Sequence, residues 1–429
     1  MTEKIIGKNP LKEWKPRPDL PPPVRDFGLS GWLRKNLFSS AGNTFFTLIG
    51  ITIIWLTVPP FIQWAVINAA WLGDNRSACD YLLEGEKNGA CWVFIKVRLG
   101  MFMYGFYPDP ERWRVNFALC LLALGALPIL TTGLLEKNLR RIVYLIAGAI
   151  VCTVFFGPFP GLTAAMFLSA PLLLSFTPLA RQIPVRGWNW IFLFTIYPVI
   201  AWFLFTGGIF GLPYVDTHQW GGMFLTLVIA GIGIAASLPI GILLALGRRS
   251  SMPVTKTLCV CFIELIRGVP LISVLFMASV MLPLLLPEGT HFNKLLRALI
   301  GVALFYAAYM AEVVRGGLAA IPKGQYEAAQ ALGWGYWKMM GLIILPQALR
   351  LVIPGIVNTF LGLFKDTTLV AVIGLMDMLG IVKTALADTD WLGFPKEAYV
   401  FAALTYWVFC FSMSRYSMSL EKRFRVNRR

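Results

Sequence analysis

The chain alternates long apolar runs with short segments that carry most of its charges. A membrane-spanning helix needs about 20 mostly apolar residues, because the bilayer offers its backbone polar groups no other partners. We interpret ten runs as spans: residues 44–69, 116–135, 142–156, 162–180, 188–210, 222–246, 258–286, 296–321, 342–364 and 399–419. The pattern therefore predicts an all-α fold, a polytopic transmembrane helical bundle of about ten spans.

Composition supports a membrane protein. Hydrophobic residues make up 57% of the 429 residues and charged residues only 14%, a balance that no soluble fold class requires. The net charge of +16 does not predict nucleic-acid binding, because the Lys and Arg residues lie in short loops and tails between apolar runs. We expect these charges to set the orientation of the chain in the membrane.

Alternate loops carry the excess of Lys and Arg, as expected for loops on the cytoplasmic side. The basic segments are 137–141, 181–186, 247–256, the surroundings of Lys323, and the tail 421–429. The intervening loops are balanced, neutral or mildly acidic, and they comprise 72–115, 158–161, 211–221, 287–295 and 388–397. This distribution predicts cytoplasmic N- and C-termini and places the loop 72–115 outside the cytoplasm.

One further apolar stretch, residues 367–387, decides the number of spans. The alternation of basic loops closes only if this stretch does not cross the membrane. We therefore expect a packed or re-entrant segment on the outer side. The competing count of eleven spans would put one terminus on the wrong side of its own charges.

The seven cysteines fall into two groups. Five lie inside apolar runs, where a thiol usually behaves as a small hydrophobe: Cys120, Cys152, Cys259, Cys261 and Cys410. Cys79 and Cys91 lie in the loop 72–115, where a disulfide and two free thiols are both open. The Pro-rich, charged residues 1–42 lack the apolar core of a signal peptide and are expected to form a flexible cytoplasmic tail.

A pattern of fixed residues begins in the basic loop 322–341 and enters the next apolar run. It reads E-A-A-x3-G-x9-I-x-L-P and comprises Glu327, Ala328, Ala329, Gly333, Ile343, Leu345 and Pro346. Residues 325–332 favour a helix too short and too polar to span, which Gly333 can end with a positive φ. A second short helix is predicted at 335–340. The competing interpretation is an interfacial helix that lies on the membrane.

This pattern resembles, at every fixed position, the EAA loop of ABC importer permeases. In that family the loop docks in a cleft of the ATPase, so the resemblance implies that these seven residues couple ATP hydrolysis to the spans. The preceding residues are similar to the polar amino-acid subfamily and are expected to fix the angle at which the span enters the loop. They are Arg315, Gly316, Gly324 and Gln325.

A second motif, F-I-E-L-I-R-G-V-P-L, resembles the E-x-x-R-G-x-P-L signature of the same subfamily. Glu264 and Arg267 are three residues apart, so they share a helical face and can pair. Gly268 and Pro270 predict a kink. A helix break near the translocation path and a structural ion pair are both open interpretations.

A third motif, Lys365, Asp366, Thr367 and Thr368, resembles the K-D-T-S-L stretch of these permeases, with Thr368 in the place of Ser. Charged residues at the end of a span can line or gate a path. The alternative is a Lys side chain that extends towards the interface, together with a helix cap.

The resemblance covers residues 221–419 and implies a type I ABC importer core at 216–420. The preceding residues 43–215 form a predicted N-terminal extension of about five spans. A permease with this extension resembles the larger membrane subunit of the general L-amino-acid or glutamate/glutamine/aspartate/asparagine uptake systems of Gram-negative bacteria.

The resemblance implies an ATP-driven importer subunit that carries polar L-amino acids across the bacterial inner membrane. It implies a heterodimer with a second permease, two copies of a cytoplasmic ATPase and a periplasmic amino-acid-binding protein. The sequence contains no G-x-x-x-x-G-K-[ST] loop, so ATP and Mg are expected on the ATPase and no cofactor on this chain. Only His218 and His291 occur, which favours no metal site.

Two other functions compete with this interpretation. A secondary amino-acid transporter driven by an ion gradient would also have about ten spans with a few intramembrane charges, but it would have no use for an EAA loop. An intramembrane hydrolase lacks support, because the spans contain no G-x-S-x-G or H-E-x-x-H motif.

Overall fold

The computed structural model describes residues 28–83, 88–130, 192–209, 211–285, 287 and 292–426. Within these ranges the secondary structure is helical, and the β-bridges are isolated, as predicted for an all-α fold. The expectations for residues 1–27, the spans 142–156 and 162–180, the loops 137–141, 158–161 and 181–186, Cys152 and His291 lie outside the described residues.

The helices are numbered here in chain order. The N-terminal part contains α1 (Gly28–Asn36), α2 (Ala41–Ile62), α3 (Asp80–Leu83), α4 (Trp92–Tyr104), α5 (Arg112–Leu130) and α6 (Tyr197–Thr206). The C-terminal part contains α7 (Gly222–Arg248), α8 (Pro253–Gly268), α9 (Leu271–Phe276), α10 (Leu282–Leu285), α11 (Lys294–Ala319), α12 (Lys323–Ala331), α13 (Tyr336–Met339), α14 (Leu345–Leu351), α15 (Ile353–Asp366), α16 (Met378–Leu386) and α17 (Pro395–Val426).

Four stretches of the described chain are helical, long and apolar enough to cross a membrane. They are Ala41–Ile67, Gly222–Arg248, Lys294–Ala319 and Ile353–Ile373. A fifth candidate is the bent pair Pro253–Gly268 and Leu271–Leu285. Each overlaps a run that the sequence predicts as a span, while the total of ten stays a prediction.

The pair α7 and α11 is packed closely because glycines lie at the contact. A Cβ atom at Gly241 would come within 2.7 Å of the Met310 side chain. At Gly233, the same addition would reach 3.0 Å from the Leu363 side chain on α15. Small residues let helix backbones approach in this way, which is how helices in membranes gain most of their packing energy.

The predicted kink at Gly268 and Pro270 is confirmed as a full break. The helices on either side are bent by 105°, so the apolar run 258–286 folds as separate helices. Val269 is extended at φ −114° and ψ 139°, the conformation that a following proline favours.

Residues 367–387 pack against the core and do not form a separate full span. A 3₁₀ helix, Thr367–Ile373, first continues α15, and the chain then turns at Gly374 with a φ of +76°. It returns as α16, whose nine residues are too short to cross a bilayer. The buried Asp377 caps α16 by accepting from the backbone N–H of Gly380 at 2.9 Å. The side of the membrane on which this segment lies stays a prediction.

The N-terminal extension is joined to the C-terminal part through the segment that precedes α4. Cys79 and Cys91 form a disulfide with a Cα–Cα distance of 5.8 Å, so of the two open alternatives the structure has the paired one. The backbone N–H of Cys91 donates to the buried Glu397 at the start of α17 (3.1 Å). Phe94 on α4 contacts the ring of Trp391, with centroids 5.4 Å apart.

Candidate coupling and translocation sites

The loop 322–341 folds as two short helices, α12 and α13, that meet at Gly333. Gly333 has a φ of +72°, as the sequence predicts. Its backbone N–H donates to the carbonyl of Gln330 (2.9 Å), and that of Trp334 donates to the carbonyl of Ala329 (3.2 Å). These two bonds form a Schellman motif, which ends a helix with a residue in the left-handed region. The local sequence thus sets the turn between the two helices.

The E-A-A-x3-G-x9-I-x-L-P pattern divides into an exposed and a packed part. Glu327 and Ala328 are exposed, whereas Ala329 is buried. Ile343 and Leu345 pack against the same buried cluster that contains Ala329, Met339 and Met340. Pro346 lies in the first turn of α14, directly after a π-helical turn, Met340–Ile344. We call α12, Gly333 and α13 together the projection. The residues at the end of the pattern pack beneath it, in the buried cluster that contains Ala329.

An exposed apolar patch lies on this projection, and the motif did not reveal it. Leu332 is 70% exposed and Trp337 is 71% exposed, and the exposed Tyr336 contacts Trp337 with ring centroids 5.3 Å apart. Large apolar side chains that cluster at the surface mark a site of interaction. The W-G-Y-W segment just after Gly333 was the available signal in the sequence.

Hydrogen bonds attach the projection to the helices around it. The guanidinium of Arg249 lies 5.7 Å from the ring centroid of Tyr326 and donates to its hydroxyl at 3.3 Å. The Gln347 side chain donates to Gln325 at 3.1 Å, which ties α14 to α12. Movement of α12 would therefore reach α7 and α14 through direct contacts.

The lead-in glycines Gly316 and Gly324 lie in open space. A Cβ atom at Gly316 or Gly324 would meet nothing within 4 Å. At the neighbouring Gly317 it would lie 2.7 Å from the backbone carbonyl of Ala348 on α14. Gly317, which belongs to the same lead-in motif, is thus where the span needs a glycine to pack closely.

Glu264 and Arg267 do not pair with each other, contrary to the expectation from their spacing. Glu264 pairs with Arg248 at the end of α7 (2.9 Å). Arg267 pairs with Glu312 on α11 (3.7 Å). The spacing does place both side chains at the surface of α8, but bases and acids on neighbouring helices reach them instead.

Glu312 is the centre of this charge cluster, and sequence reasoning missed it. Besides Arg267, its carboxylate accepts from Arg248 at 2.6 Å and from the lead-in residue Arg315 at 2.9 Å. Its side chain is only 16% exposed, so the three arginines offset the cost of burying a carboxylate. The cluster joins α7, α8 and α11 immediately before the loop that α12 and α13 form.

The third motif also reaches α11. Asp366 accepts a hydrogen bond from the hydroxyl of the buried Tyr306 (2.5 Å). The hydroxyls of Thr367 and Thr368 donate to the carbonyls of Phe364 and Lys365, both at 2.9 Å. These two threonines therefore stabilise the transition from α15 to the 3₁₀ helix, and Lys365 is exposed.

Both motifs thus reach α11. Tyr306, Tyr309, Glu312 and Arg315 recur at intervals of three residues, so each neighbours the next in a stripe that winds about halfway round the helix, here called the polar face of α11. Tyr306 contacts Asp366, and the ring of Tyr309 lies 5.7 Å from the Arg267 guanidinium. This polar face connects the end of α15 with the charge cluster. Within the described residues, no group of three or more His, Cys, Asp or Glu side chains could hold a metal ion.

Comparisons with known proteins agree with this architecture. Residues 237–426 match the family described as binding-protein-dependent transport system inner membrane component. The chain is 51% identical to the inner membrane amino-acid ABC transporter permease protein YhdY of Escherichia coli strain K12, over 92% of this chain and 93% of that protein. It is 45% identical to the glutamate/glutamine/aspartate/asparagine transport system permease protein BztC of Rhodobacter capsulatus, over 95% of this chain and 96% of that protein.

Among solved structures, the crystal structure of an amino acid ABC transporter with histidines matches 47% of this chain and 92% of that chain. The sequence identity is 28% and the TM-score is 0.42. The identities to YhdY and BztC extend over both the N-terminal extension and the core. The chain therefore belongs to the amino-acid ABC transporter permeases, which are membrane subunits of transporters and not themselves enzymes.

Proposed function

We propose that this chain is one of two permeases in an ATP-driven importer that carries polar L-amino acids across the bacterial inner membrane. The observation that carries the proposal is the projection formed by α12, Gly333 and α13. It presents Glu327, Ala328 and an apolar patch to a partner, and it follows the polar face of α11 directly. An ATPase that moves the projection would move the helix that carries this face.

The proposed partners are those that the family implies. The second permease, the two copies of a cytoplasmic ATPase that hold ATP and Mg, and the periplasmic binding protein are those of the family. The projection lies on the cytoplasmic side with both termini, and the Cys79–Cys91 disulfide lies on the periplasmic side, where disulfides persist. The basic tail and loops favour this orientation.

The polar face of α11 is the proposed translocation or gating surface. The residues that the motifs selected contribute Glu264 and Arg267 through the charge cluster and Asp366 through Tyr306. The break at Gly268 and Pro270 gives this region irregular backbone, which is tolerated at membrane depth where it is buried in protein or lines a cavity. Relatives named for glutamate, glutamine, aspartate and asparagine transport favour polar amino acids as cargo.

Retention of the ATPase tests this proposal. Tagged permease is co-expressed with its second permease and a cognate ABC ATPase, and the ATPase that co-purifies is quantified. Leu332→Ser with Trp337→Ser should reduce retention about tenfold or more, because truncating buried apolar anchors of an interface costs about 2 kcal/mol or more each. Trp71→Ser, at a residue 54% exposed in the N-terminal extension, is the matched control. Full retention in the double variant would contradict the assignment of the projection.

A further inference from the structure

A cavity of about 690 Å³ lies between the N-terminal extension and the core. One wall comes from α4 and the segment that leads into α5, and the other comes from α16 and the residues that follow it. The cavity is open to the surface, and none of the residues that the sequence motifs selected lines it. It is thus separate from the polar face of α11.

The charged side chains that line the cavity balance one another. They are Arg98, Arg112, Asp109 and Asp388. The lining residue Tyr107 is neutral near pH 7, and burial raises the pKa of its hydroxyl further, to about 12. A cavity with two guanidinium groups and two carboxylates suits a ligand that carries one charge of each sign.

The two ion pairs in the cavity differ in how firmly they are held. Arg98 pairs with Asp388 across the boundary between extension and core, and both side chains are largely buried. Asp388 also accepts from the backbone N–H of Asp390 at 3.0 Å. The second pair, Arg112 with Asp109 (2.5 Å), has a carboxylate that is 79% exposed. An exposed pair of this kind contributes little to stability, so a ligand can open it.

The Arg112 guanidinium is fixed in place independently of Asp109. It lies 5.2 Å from the ring centroid of Tyr104. It also occupies space beside Gly100, where a Cβ atom would come within 2.7 Å of Nη1. A cation held by stacking and by shape is already positioned for an incoming carboxylate, so binding costs less conformational entropy.

We propose that this cavity binds an amino-acid zwitterion, with the α-carboxylate on Arg112 and the α-ammonium on Asp109. A zwitterion replaces one weak ion pair by two, whereas an anion would leave Asp109 unpaired and a cation would leave Arg112 unpaired. The proposal rests on the proposed function for the class of ligand. It assigns ligand binding to the N-terminal extension, because both proposed ligand-binding residues lie in the extension. Residues of α16 line the opposite wall of the cavity.

Equilibrium binding of radiolabelled L-glutamine to the full-length chain in lipid nanodiscs tests the proposal. Arg112→Gln and Asp109→Asn should each weaken binding about tenfold or more, since each removes one charge-assisted contact. Unlabelled N-acetyl-L-glutamine, which lacks the ammonium group, and L-glutaminamide, which lacks the carboxylate, should not compete.

Asp74→Asn is the matched control, because Asp74 is also exposed and pairs with one base, Lys96, at 2.9 Å outside the cavity. Its affinity should equal that of the unaltered chain. Since Asp109 is on the surface, Asp109→Asn keeps the test decisive if Arg112→Gln does not fold.

Undetectable binding by the unaltered chain, unchanged affinity in Asp109→Asn, or competition by either analogue would overturn the cavity assignment. ATP-driven L-glutamine uptake by the complete complex is measured in parallel. If uptake persists, the proposed function stands without the cavity. If uptake is absent for every polar amino acid, the proposed function fails as well.

Discussion

At the scale of single residues, Glu312 joins charged groups from two other helices to its own. Its carboxylate accepts from arginines on α7 and α11 and pairs with a third arginine on α8. Glu264, by contrast, pairs with Arg248 alone and its side chain is 55% exposed. Removing the Glu312 carboxylate would therefore leave three arginines without this partner, whereas removing that of Glu264 would affect Arg248.

Glu312→Gln should destabilise the protein by about 3 kcal/mol, because it leaves partly buried arginines without their common counter-ion. Glu264→Gln should cost less than about 1 kcal/mol, as expected for an exposed pair. Thermal unfolding of the purified chains in one detergent compares the two. Equal midpoints would contradict the role of Glu312 as the centre of the cluster.

Gly333→Val should uncouple ATP hydrolysis from uptake while membrane insertion continues. A non-glycine residue in the left-handed region costs roughly 1–2 kcal/mol and distorts the turn between α12 and α13. Gly335→Ala is the control, since Gly335 has a φ of −68° and open space around it. Uptake per ATP hydrolysed in proteoliposomes is the measurement, and an unchanged ratio for Gly333→Val would contradict the assignment.

Glu327→Lys should also impair coupling without affecting insertion, because it reverses an exposed charge on the face that we propose meets the ATPase. Asp74→Lys, at a residue of the loop 72–115 whose side chain is 88% exposed, serves as the charge-reversal control. The measurement is again amino-acid uptake per ATP hydrolysed in proteoliposomes. Normal coupling in Glu327→Lys would remove this residue from the contact with the ATPase.

At the scale of elements, local sequence determines the features that depend on backbone conformation. The break at Gly268 and Pro270, the positive φ of Gly333 and the short α12 were predictable, because glycine and proline restrict or permit backbone angles wherever they occur. The ion pairs between helices could not be predicted from local sequence. The spacing of Glu264 and Arg267 indicated a pair within α8, whereas the partners of both residues lie on α7 and α11.

The polar face of α11 illustrates a signal that was present but not used. Tyr306, Tyr309, Glu312 and Arg315 recur every three residues within an apolar run. In a span, such a stripe indicates a face that is turned away from lipid. Which helices it meets depends on the tertiary packing of α8 and α15, and no local rule supplies that.

The Cys79–Cys91 disulfide stabilises the segment of the extension whose Cys91 N–H donates to Glu397 in the core. Cys79→Ser with Cys91→Ser should lower stability by about 2–4 kcal/mol, the usual effect of a disulfide on the unfolded chain. Cys261→Ser removes an exposed free thiol and should leave the unfolding midpoint unchanged. The measurement is the thermal unfolding midpoint of both variants. An unchanged midpoint in the double variant would contradict a structural role for the disulfide.

At the scale of the whole molecule, the extension and the core form one continuous packed structure at the end that carries the disulfide. Buried residues of α4 share a hydrophobic cluster with α7, α16 and the start of α17. The sequence resemblance covered the core alone, so it gave no account of this contact. The coupling projection lies in a second buried cluster, formed with α7, α8, α11, α14 and α15.

The central claim is that ATP hydrolysis by a partner drives amino-acid uptake through this chain. The most direct measurement is the initial rate of labelled L-glutamate and L-glutamine uptake into proteoliposomes that contain both permeases, with and without the ATPase and binding protein. We predict uptake only when the ATPase, ATP, Mg and binding protein are all present, and no effect of collapsing ion gradients. Uptake by the permeases alone, driven by an ion gradient, would contradict the account.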